Sequence, residues 1–293
     1  MSLYWPAFEF NFTLDMARLL PHMAAIEASR AAASLRMLPP QWRAHSAAEV
    51  EARLRQAAAE QGTELEEIQF RKQVFLLSNA SQAQAWVKQR FAPGSLPMCL
   101  EDVQTMHRMV SEEAGVHYET PGVMRQEGQG VITGTATIGI HVGAPAIKLP
   151  HLMDQYFRFI RSRRLLDLPA IIHALVAHFF ITTIHPFGDG NGRVSRLVSA
   201  GILYQRGYNG HGFYALSNYF YENELRYHEI LFRQQQEPCP DLTEFLAFGM
   251  EGLALELQGI SNFIKIKLNR VAERKALAAA RNSSSSSTLM ASC

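Results

Sequence analysis

The chain has 293 residues, a formal net charge of +1, 47% hydrophobic residues and 19% charged residues. This length allows one or two domains with a sizeable core, and the hydrophobic content excludes a wholly disordered chain. A nucleic-acid-binding domain would be strongly basic, so the near-zero net charge leads us to expect no nucleic-acid partner.

The sequence predicts a protein of a reducing compartment, which we take to be the cytoplasm. Its three cysteines, Cys99, Cys239 and Cys293, have neither metal-ligand nor redox spacing. The opening "MSLYWPAFEF" lacks the basic start and apolar core of a secretory signal. The nearly uncharged stretch Leu168–Ile184 is shorter than the roughly 20 residues of a membrane span, so it predicts a buried helix and no membrane association.

The N-terminal third predicts successive helices. Ser46 with Glu49 forms a capping-box pattern, and the helix that it opens ends near Gly62. Thr63 with Glu66 repeats the pattern for the next helix. Further helices are predicted at residues 14–37, 81–91 and 99–114.

The middle of the chain predicts the one β element. Between residues 117 and 149 glycines recur, and the alternating "TATIGIHV" indicates a short hairpin. Helices then resume. They are predicted at about residues 151–164, at 170–184, from 193, from Ser217 through "NYFYENELRYHEILF", and from Asp241 towards Arg281.

The predicted fold class is therefore mainly α with a short β-hairpin. The serine-rich end, "NSSSSSTLMASC", is low in complexity and predicts disorder. The predicted parts are an N-terminal helical region at 1–94, a core at 95–240, a helical extension at 241–280 and a tail at 281–293.

The segment "IHPFGDGNGRVSR" has the features of a phosphate site. Gly188, Gly190 and Gly192 let a ligand approach the backbone amides, which form an anion-binding nest at the start of a helix. Arg193 and Arg196 lie at i and i+3 on the first turn of that helix, where two cations oppose the helix dipole unless an anion binds. These features together indicate a polyphosphate site.

Two further side chains suggest a reaction at this site. Asp189 among phosphates needs an intervening cation, and Mg²⁺ accepts one carboxylate together with phosphates and water. His185, at the end of the buried helix, is a candidate general base for a hydroxyl nucleophile. Taken singly, a glycine-rich loop is usually a turn, and a histidine after an apolar helix is usually a capping or core residue.

Other polar residues favour structural interpretations. His173 and His178 are five residues apart and point in different directions on a helix, so we do not expect a zinc site there. The basic run at Arg158, Arg161, Arg163 and Arg164 predicts a solvated helix face.

The segment "HPFGDGNGR" followed by "VSR" matches the full signature of the Fic family, which this chain resembles over about residues 95–236. "GVMR", "HFFITTIHPF" and "ALSNYFYENELRYHEIL" also resemble the Fic core. The resemblance implies a Fic-type helical core with a β-hairpin flap. It further implies an enzyme that moves AMP from ATP onto a hydroxyl side chain of a target protein with Mg²⁺; other donors such as UTP stay open.

The resemblance also implies residue roles. His185 would deprotonate a Ser, Thr or Tyr hydroxyl, Phe187 would anchor the loop, and Asp189 would hold Mg²⁺ against the α and β phosphates. The hairpin at 138–149 would be the flap that aligns the target's backbone. The implied nucleotide-binding residues are Gly188, Gly190, Asn191, Gly192, Arg193, near the β phosphate, and Arg196, at the γ phosphate.

Many Fic proteins carry a glutamate that pairs with the second motif arginine and blocks the productive γ-phosphate position. Glu60, in "QAAAEQGTELEEI", is the first candidate, although Gln56 and Gln61 depart from the usual pattern. A surface role for Glu60 stays open. The rival is Glu27 in "MAAIEAS".

The leading functional hypothesis is a Mg²⁺-dependent protein adenylyltransferase that is inhibited through Glu60 and Arg196. One alternative is an enzyme of the same fold that removes AMP. Another is a nucleotide-sensing binding protein without useful catalysis. The expected partner is a target protein on the flap, with self-modification and a homodimer as further alternatives.

Overall fold

The computed structural model describes residues 5, 8–32, 80–111, 120–135, 139–208, 217–258, 262 and 269. This part of the chain is mainly helical with one small antiparallel sheet, as predicted. The helices are α1 (Met16–Ala32), α2 (residues 80–90), α3 (Leu100–Ser111), α4 (Leu149–Ile160), α5 (Arg163–Leu166), α6 (Ala170–Ile184), α7 (Asn191–Gln205), α8 (Ser217–Glu222), α9 (Glu224–Gln234) and α10 (residues 243–258).

Three expectations lie outside the described residues. They are the two capping-box helices that begin at Ser46 and Thr63, the inhibitory role of Glu60, and the disorder of the tail at 281–293. The four-part domain division stays a prediction.

Helix α6 is the centre of the core. Every residue from Ile171 to Ile184 is buried, because the helix is apolar on all sides and other elements cover it. Helix α7 packs along it, α4 lies against it, and α3 packs on α7. The buried helix predicted at 170–184 is confirmed with its bounds.

Helices α6 and α7 are joined by a short loop that carries the glycine-rich segment. Helix α6 ends at Ile184, and α7 begins at Asn191, two residues earlier than expected. The loop therefore lies between the C-terminus of one buried helix and the N-terminus of another. That position brings main-chain carbonyls from one side and free amides from the other.

The predicted hairpin is present, although its first strand begins earlier in the chain. Strand β1 (Ile132–Thr135) pairs with β2 (Gly139–Val142), with Ile132 opposite Val142 and Gly134 opposite Ile140. Side chains alternate across the strands, so Ile132 and Ile140 share an exposed face while His141 points inward and is buried. A short 3₁₀ turn (Ala146–Lys148) leads from β2 into α4.

The segment before α1 is extended, which the helical interpretation of the N-terminal region missed. Phe8, Phe10 and Phe12 all contact Phe180 of α6. Thr13 then forms a parallel bridge with Asp241, with main-chain hydrogen bonds of 3.0 and 3.1 Å. The segment thus joins α6 to the start of α10.

The four arginines of the basic run are exposed, as expected for a solvated face, but they do not lie on one helix, because α4 ends at Ile160. Arg158 pairs with Asp154 at 2.8 Å. Arg161 donates to the Met98 carbonyl, and Arg164 donates to the Phe12 carbonyl at 2.7 Å. Arg161 and Arg164 thus bind main-chain segments from other parts of the chain.

Within the described ranges, no helix combines the length and the apolar character that crossing a membrane requires.

Candidate active site

His185 follows the last residue of α6 in a left-handed conformation, with φ 56° and ψ 61°. Such a backbone is uncommon for a residue with a side chain and costs roughly 1–2 kcal/mol. Its ring Nδ1 lies 3.2 Å from the Thr182 carbonyl oxygen. A carbonyl can only accept, so Nδ1 carries the proton and Nε2 keeps its lone pair.

The pKa of His185 is lowered to about 3, chiefly by burial and then by the neighbouring His141 and Arg125. The imidazole is therefore neutral at physiological pH. A neutral ring with a free Nε2 lone pair has the protonation state that a general base needs before reaction.

The loop is closed by a reciprocal pair of hydrogen bonds between Asn191 and Phe187. The Phe187 amide donates to Asn191 Oδ1 at 3.0 Å, and Asn191 Nδ2 donates to the Phe187 carbonyl at 2.7 Å. Both polar atoms of the buried Asn191 side chain thus shape the loop. The predicted contact of Asn191 with phosphate would require these bonds to be exchanged, and it stays a prediction.

Phe187 anchors the loop in the core, as expected. Its side chain is fully buried, and its ring stacks on the ring of His107 with centroids 3.8 Å apart. His107 Nε2 also donates to the Asp189 carbonyl at 3.2 Å, while its Nδ1 accepts from the Gly122 amide at 2.9 Å. The sequence analysis did not identify His107, which holds the loop from the side of α3.

Gly190 is the one glycine of the motif with a left-handed backbone, at φ 76°, and it caps α7. A Cβ there would lie 3.2 Å from Ser111 Oγ and 3.3 Å from His107 Cδ2, so both geometry and space favour glycine. A Cβ at Gly192 would lie 3.5 Å from Arg196 Nη1, an ordinary contact distance. Gly188 lines a cavity of about 110 Å³, whose other lining residues are Thr120, Val123, Met124, Arg125, Gln126 and Gln129.

Asp189 and Arg193 form an ion pair of 3.0 Å across the first turn of α7. Arg193 also donates to the Val110 carbonyl at the end of α3. Half of the Asp189 side chain stays exposed. A half-exposed carboxylate beside helix amides fits a Mg²⁺ ion whose other ligands are phosphate and water, and the described residues hold no cluster of three or more acidic, His or Cys ligands.

Arg196, one turn into α7, makes no hydrogen bond or ion pair within the described part of the chain. Burial is the main cause that lowers the pKa of its guanidinium, and Arg193 adds to that effect, while Tyr227 and Glu224 oppose it. A partly buried cation without a directly paired counter-ion is costly. Among the described groups, this makes Arg196 the side chain with the clearest need for an anion.

The rival inhibitory residue, Glu27, does not reach Arg196. It pairs with Arg30 at 2.9 Å and accepts a hydrogen bond from Tyr208. Tyr208 lies beyond the far end of α7, roughly 18 Å from Arg196 at 1.5 Å per residue. The interpretation of Glu27 as the inhibitory glutamate is therefore wrong for this structure.

A buried polar network lies behind Arg196 on the α6 side. His178 Nε2 contacts Tyr227 Oη at 2.9 Å and Ser195 Oγ at 3.2 Å. His178 Nδ1 lies 3.3 Å from Ser199 Oγ. His173 contacts Arg206 instead, at 3.4 Å. The two histidines diverge as predicted.

Arg125 is the second site residue that the sequence analysis did not single out. It is buried with 6% exposure, and its Nε and Nη2 donate to the His185 carbonyl at 2.9 and 2.8 Å. It belongs to the "GVMR" stretch. Nothing in the spacing of that stretch indicates a contact 60 residues later.

Comparison with known proteins finds similarity to Fic proteins in the segment that carries this site. Residues 97–203 match the Fic/DOC family. The protein adenylyltransferase Fic of Drosophila erecta is 37% identical over 71 residues, which cover 24% of this chain and 14% of the fly protein. The corresponding protein of Drosophila yakuba is 38% identical over the same length. The matched segment is thus a small part of these relatives.

Solved structures extend the similarity in fold beyond the matched segment. A Fic family protein from Desulfovibrio desulfuricans G20 superposes with a TM-score of 0.63 and 17% identity, covering 84% of this chain and 74% of that one. Fic-1 from C. elegans gives a TM-score of 0.56 with 18% identity, covering 85% and 72%. Residues 97–203 of this chain thus match the Fic/DOC family, and the chain shares the Fic fold with these solved structures.

Proposed function

We propose that this protein is a Mg²⁺-dependent adenylyltransferase that transfers AMP from ATP to a hydroxyl side chain of a target protein. The observation that carries the proposal is Arg196, a partly buried cation without a directly paired counter-ion in the described residues. It lies one turn into a helix whose N-terminal amides face the loop of His185. The relatives named protein adenylyltransferase add support for the same chemistry.

In the proposed reaction, the target hydroxyl oxygen attacks the α-phosphorus of ATP. Its proton passes to Nε2 of His185, whose Nδ1 is held by Thr182. The bond between the α-phosphorus and the oxygen bridging to the β phosphate breaks, and pyrophosphate leaves. Bound Mg²⁺, held by Asp189, would neutralise charge on the phosphates. Arg193 would exchange its contact with Asp189 for the phosphate chain, and Arg196 would bind the γ phosphate.

The flap is the proposed docking element for the target. Ile132 and Ile140 on its outer face are 71% and 49% exposed, while His141 on the inner face lies beside the His185 ring, with centroids 6.0 Å apart. An extended target segment along the hairpin would therefore place its hydroxyl near the base. A second copy of this chain is the alternative target, which self-modification would reveal.

Inhibition by Glu60 is the regulatory part of the proposal. A glutamate that pairs with Arg196 would supply the direct ion pair that the described residues lack, and it would occupy the γ-phosphate position. Glu27 is committed to Arg30 and Tyr208, which leaves Glu60 as the candidate from the sequence analysis.

The test is label transfer from ATP carrying radioactive α phosphate, with Mg²⁺, alone and with cell lysate. We expect Glu60→Gly to label itself or a lysate protein more strongly than wild type does. His185→Ala should lose about 10²- to 10⁴-fold in rate, the usual contribution of a general base. Persistence of near wild-type transfer in His185→Ala would refute the assignment.

Arg196→Ala and Arg206→Ala form a matched pair on the same helix. Arg206 lies at the far end of α7, where it donates to the Leu168 carbonyl at 3.1 Å. We expect Arg196→Ala to weaken ATP binding by roughly 10- to 100-fold and AMP binding much less, because a charge-assisted hydrogen bond to the γ phosphate is lost. Arg206→Ala should bind ATP as wild type does. Transfer from UTP in place of ATP would change the donor and keep the chemistry.

A further inference from the structure

The guanidinium of Arg125 connects three separate main-chain segments. Besides its two hydrogen bonds to the His185 carbonyl, Nη2 donates to the Ala144 carbonyl at 2.7 Å, and Nη1 donates to the Gln129 carbonyl at 2.9 Å. Its own amide donates to the Pro186 carbonyl at 2.9 Å. Arg125 therefore contacts both residues at the start of the glycine-rich loop.

Arg125 contacts His185, the residue with the energetically unfavourable left-handed backbone conformation. The His185 carbonyl lies at the end of α6, where carbonyls lack intrahelical partners and carry partial negative charge. A planar guanidinium offers two parallel donors to that oxygen, which a lysine cannot do. The two guanidinium hydrogen bonds hold His185 in its left-handed conformation, and that conformation sets the direction of the imidazole ring.

The same guanidinium links His185 to the end of the flap. Ala144 follows β2 by two residues, and its amide donates to the Ile184 carbonyl at 3.0 Å. The preceding amide, that of Gly143, donates to the Val131 carbonyl at 3.1 Å, just before β1. The loop with the base and the hairpin that would hold a target thus share one buried cation.

We propose that Arg125 is the positioning residue of the site, which holds His185 in its left-handed conformation and aligns Nε2 with a hydroxyl presented by the flap. This inference rests on the proposed function for its catalytic consequence, but its geometric consequence does not. Because none of the described hydrogen bonds of Arg125 is to Arg196, nucleotide affinity and catalytic rate should separate.

The kinetic test uses Arg125→Lys and Arg125→Met, both combined with Glu60→Gly, with Arg164→Met as the matched control. Arg164 also donates to a main-chain carbonyl that joins two segments, away from the site. We expect Arg125→Met to lose about 10²-fold in kcat, the order of effect of misplacing a catalytic group by an ångström, while the KM for ATP changes less than about two-fold. Arg125→Lys should recover part of kcat, and Arg164→Met should keep it.

The pH profile gives a second kinetic readout. The groups that act on His185 are His141, Arg125 and Asp189, and the Arg125 charge lowers the His185 pKa. Its removal should move the acid limb of kcat to higher pH, and Arg125→Lys should move it less. Unchanged kcat in folded Arg125→Met, or equal losses in kcat and ATP affinity, would overturn the proposal.

A measurement without catalysis separates the two proposals. In protein labelled with ¹⁵N in the histidine rings, the His185 signal, assigned by its loss in His185→Ala, should show protonated Nδ1 and unprotonated Nε2. Arg125→Met should give a mixture of tautomers at unchanged pH, with Arg164→Met like wild type. If no variant transfers label, the enzyme proposal fails, and this spectrum still decides the positioning role; one unchanged tautomer in folded Arg125→Met contradicts it.

Discussion

The protonation state of His185 has a direct consequence for the pH dependence of transfer. An ordinary histidine is half protonated near pH 6.5, but burial lowers the pKa of this one to about 3. We therefore expect kcat/KM for ATP to change less than about two-fold between roughly pH 7.5 and 6. The measurement is a steady-state profile in buffers of constant ionic strength, and a fall of about four-fold over this range, centred near pH 6.5, would show a solvated His185.

Asn191 acts through the shape of the loop. Asn191→Ala removes both hydrogen bonds to Phe187 and leaves two buried main-chain groups without their partner. We expect a loss of about 1–3 kcal/mol in the free energy of unfolding and a fall in transfer. Asn223→Ala controls for the loss of an asparagine hydrogen bond outside the loop. The Asn223 Nδ2 also donates to a main-chain carbonyl, that of Tyr219, at 2.9 Å. Equal thermal stability of Asn191→Ala and wild type would contradict this role.

At the residue scale, the sequence indicated candidate groups within the motif and missed the two residues that hold the loop. The spacing of His185, Asp189 and Arg196 is local, so one loop and one helix turn suffice to bring them together. Arg125 and His107 reach the loop from 60 and 82 residues away. Such contacts depend on how helices pack, which helical periodicity does not encode.

At the scale of elements, the hairpin requires glycine at position 134, where there is no room for a side chain. A Cβ at Gly134 would lie 2.1 Å from the Gly139 carbonyl oxygen and 2.7 Å from Phe232 Cε2, so Gly134→Ala must distort the strand pairing. We expect this variant to lose most transfer to a target protein while ATP binding is kept. Gly128→Ala is the matched control, because Gly128 also has a positive φ but a Cβ there meets nothing within 4 Å. Equal transfer by the two variants would argue against a docking role for the hairpin.

The sequence was most informative where one force decides the element. Helix α6 was predicted with its bounds because its continuous apolar run can only be stable when buried. The extended segment with Phe8, Phe10 and Phe12 was missed, although its alternation has the period of a strand. It adds no strand to the hairpin, and its aromatic contacts with α6 explain its conformation.

At the scale of the whole molecule, buried histidines make the described fold sensitive to acid. Burial lowers the pKa values of His107, His141 and His173 to about 4 and those of His178 and His185 to about 3. In the unfolded chain these histidines take up protons near pH 6.5, whereas in the folded chain they stay neutral at that pH. Their contribution to stability is therefore fully present above pH 6.5 and is lost as the pH falls towards 4.

Each of these histidines contributes up to about 1.4 kcal/mol per pH unit across that window. We expect the Tm to fall steeply between about pH 6.5 and 4.5, as measured by calorimetry. His178→Gln should reduce the dependence of the Tm on pH by the contribution of one histidine, because His178 is fully buried. A Tm that stays constant down to about pH 4.5 would mean that the buried rings are hydrated.

The handedness of the backbone at position 185 decides which inactive variant is informative. Alanine removes the imidazole and also disfavours the left-handed conformation, whereas glycine adopts φ 56° freely and leaves an empty space the size of the ring. Free imidazole supplied in the buffer could enter that space and accept the proton. Chemical rescue of His185→Gly, but not of His185→Ala, would separate the contribution of the ring from that of the peptide on which it is mounted.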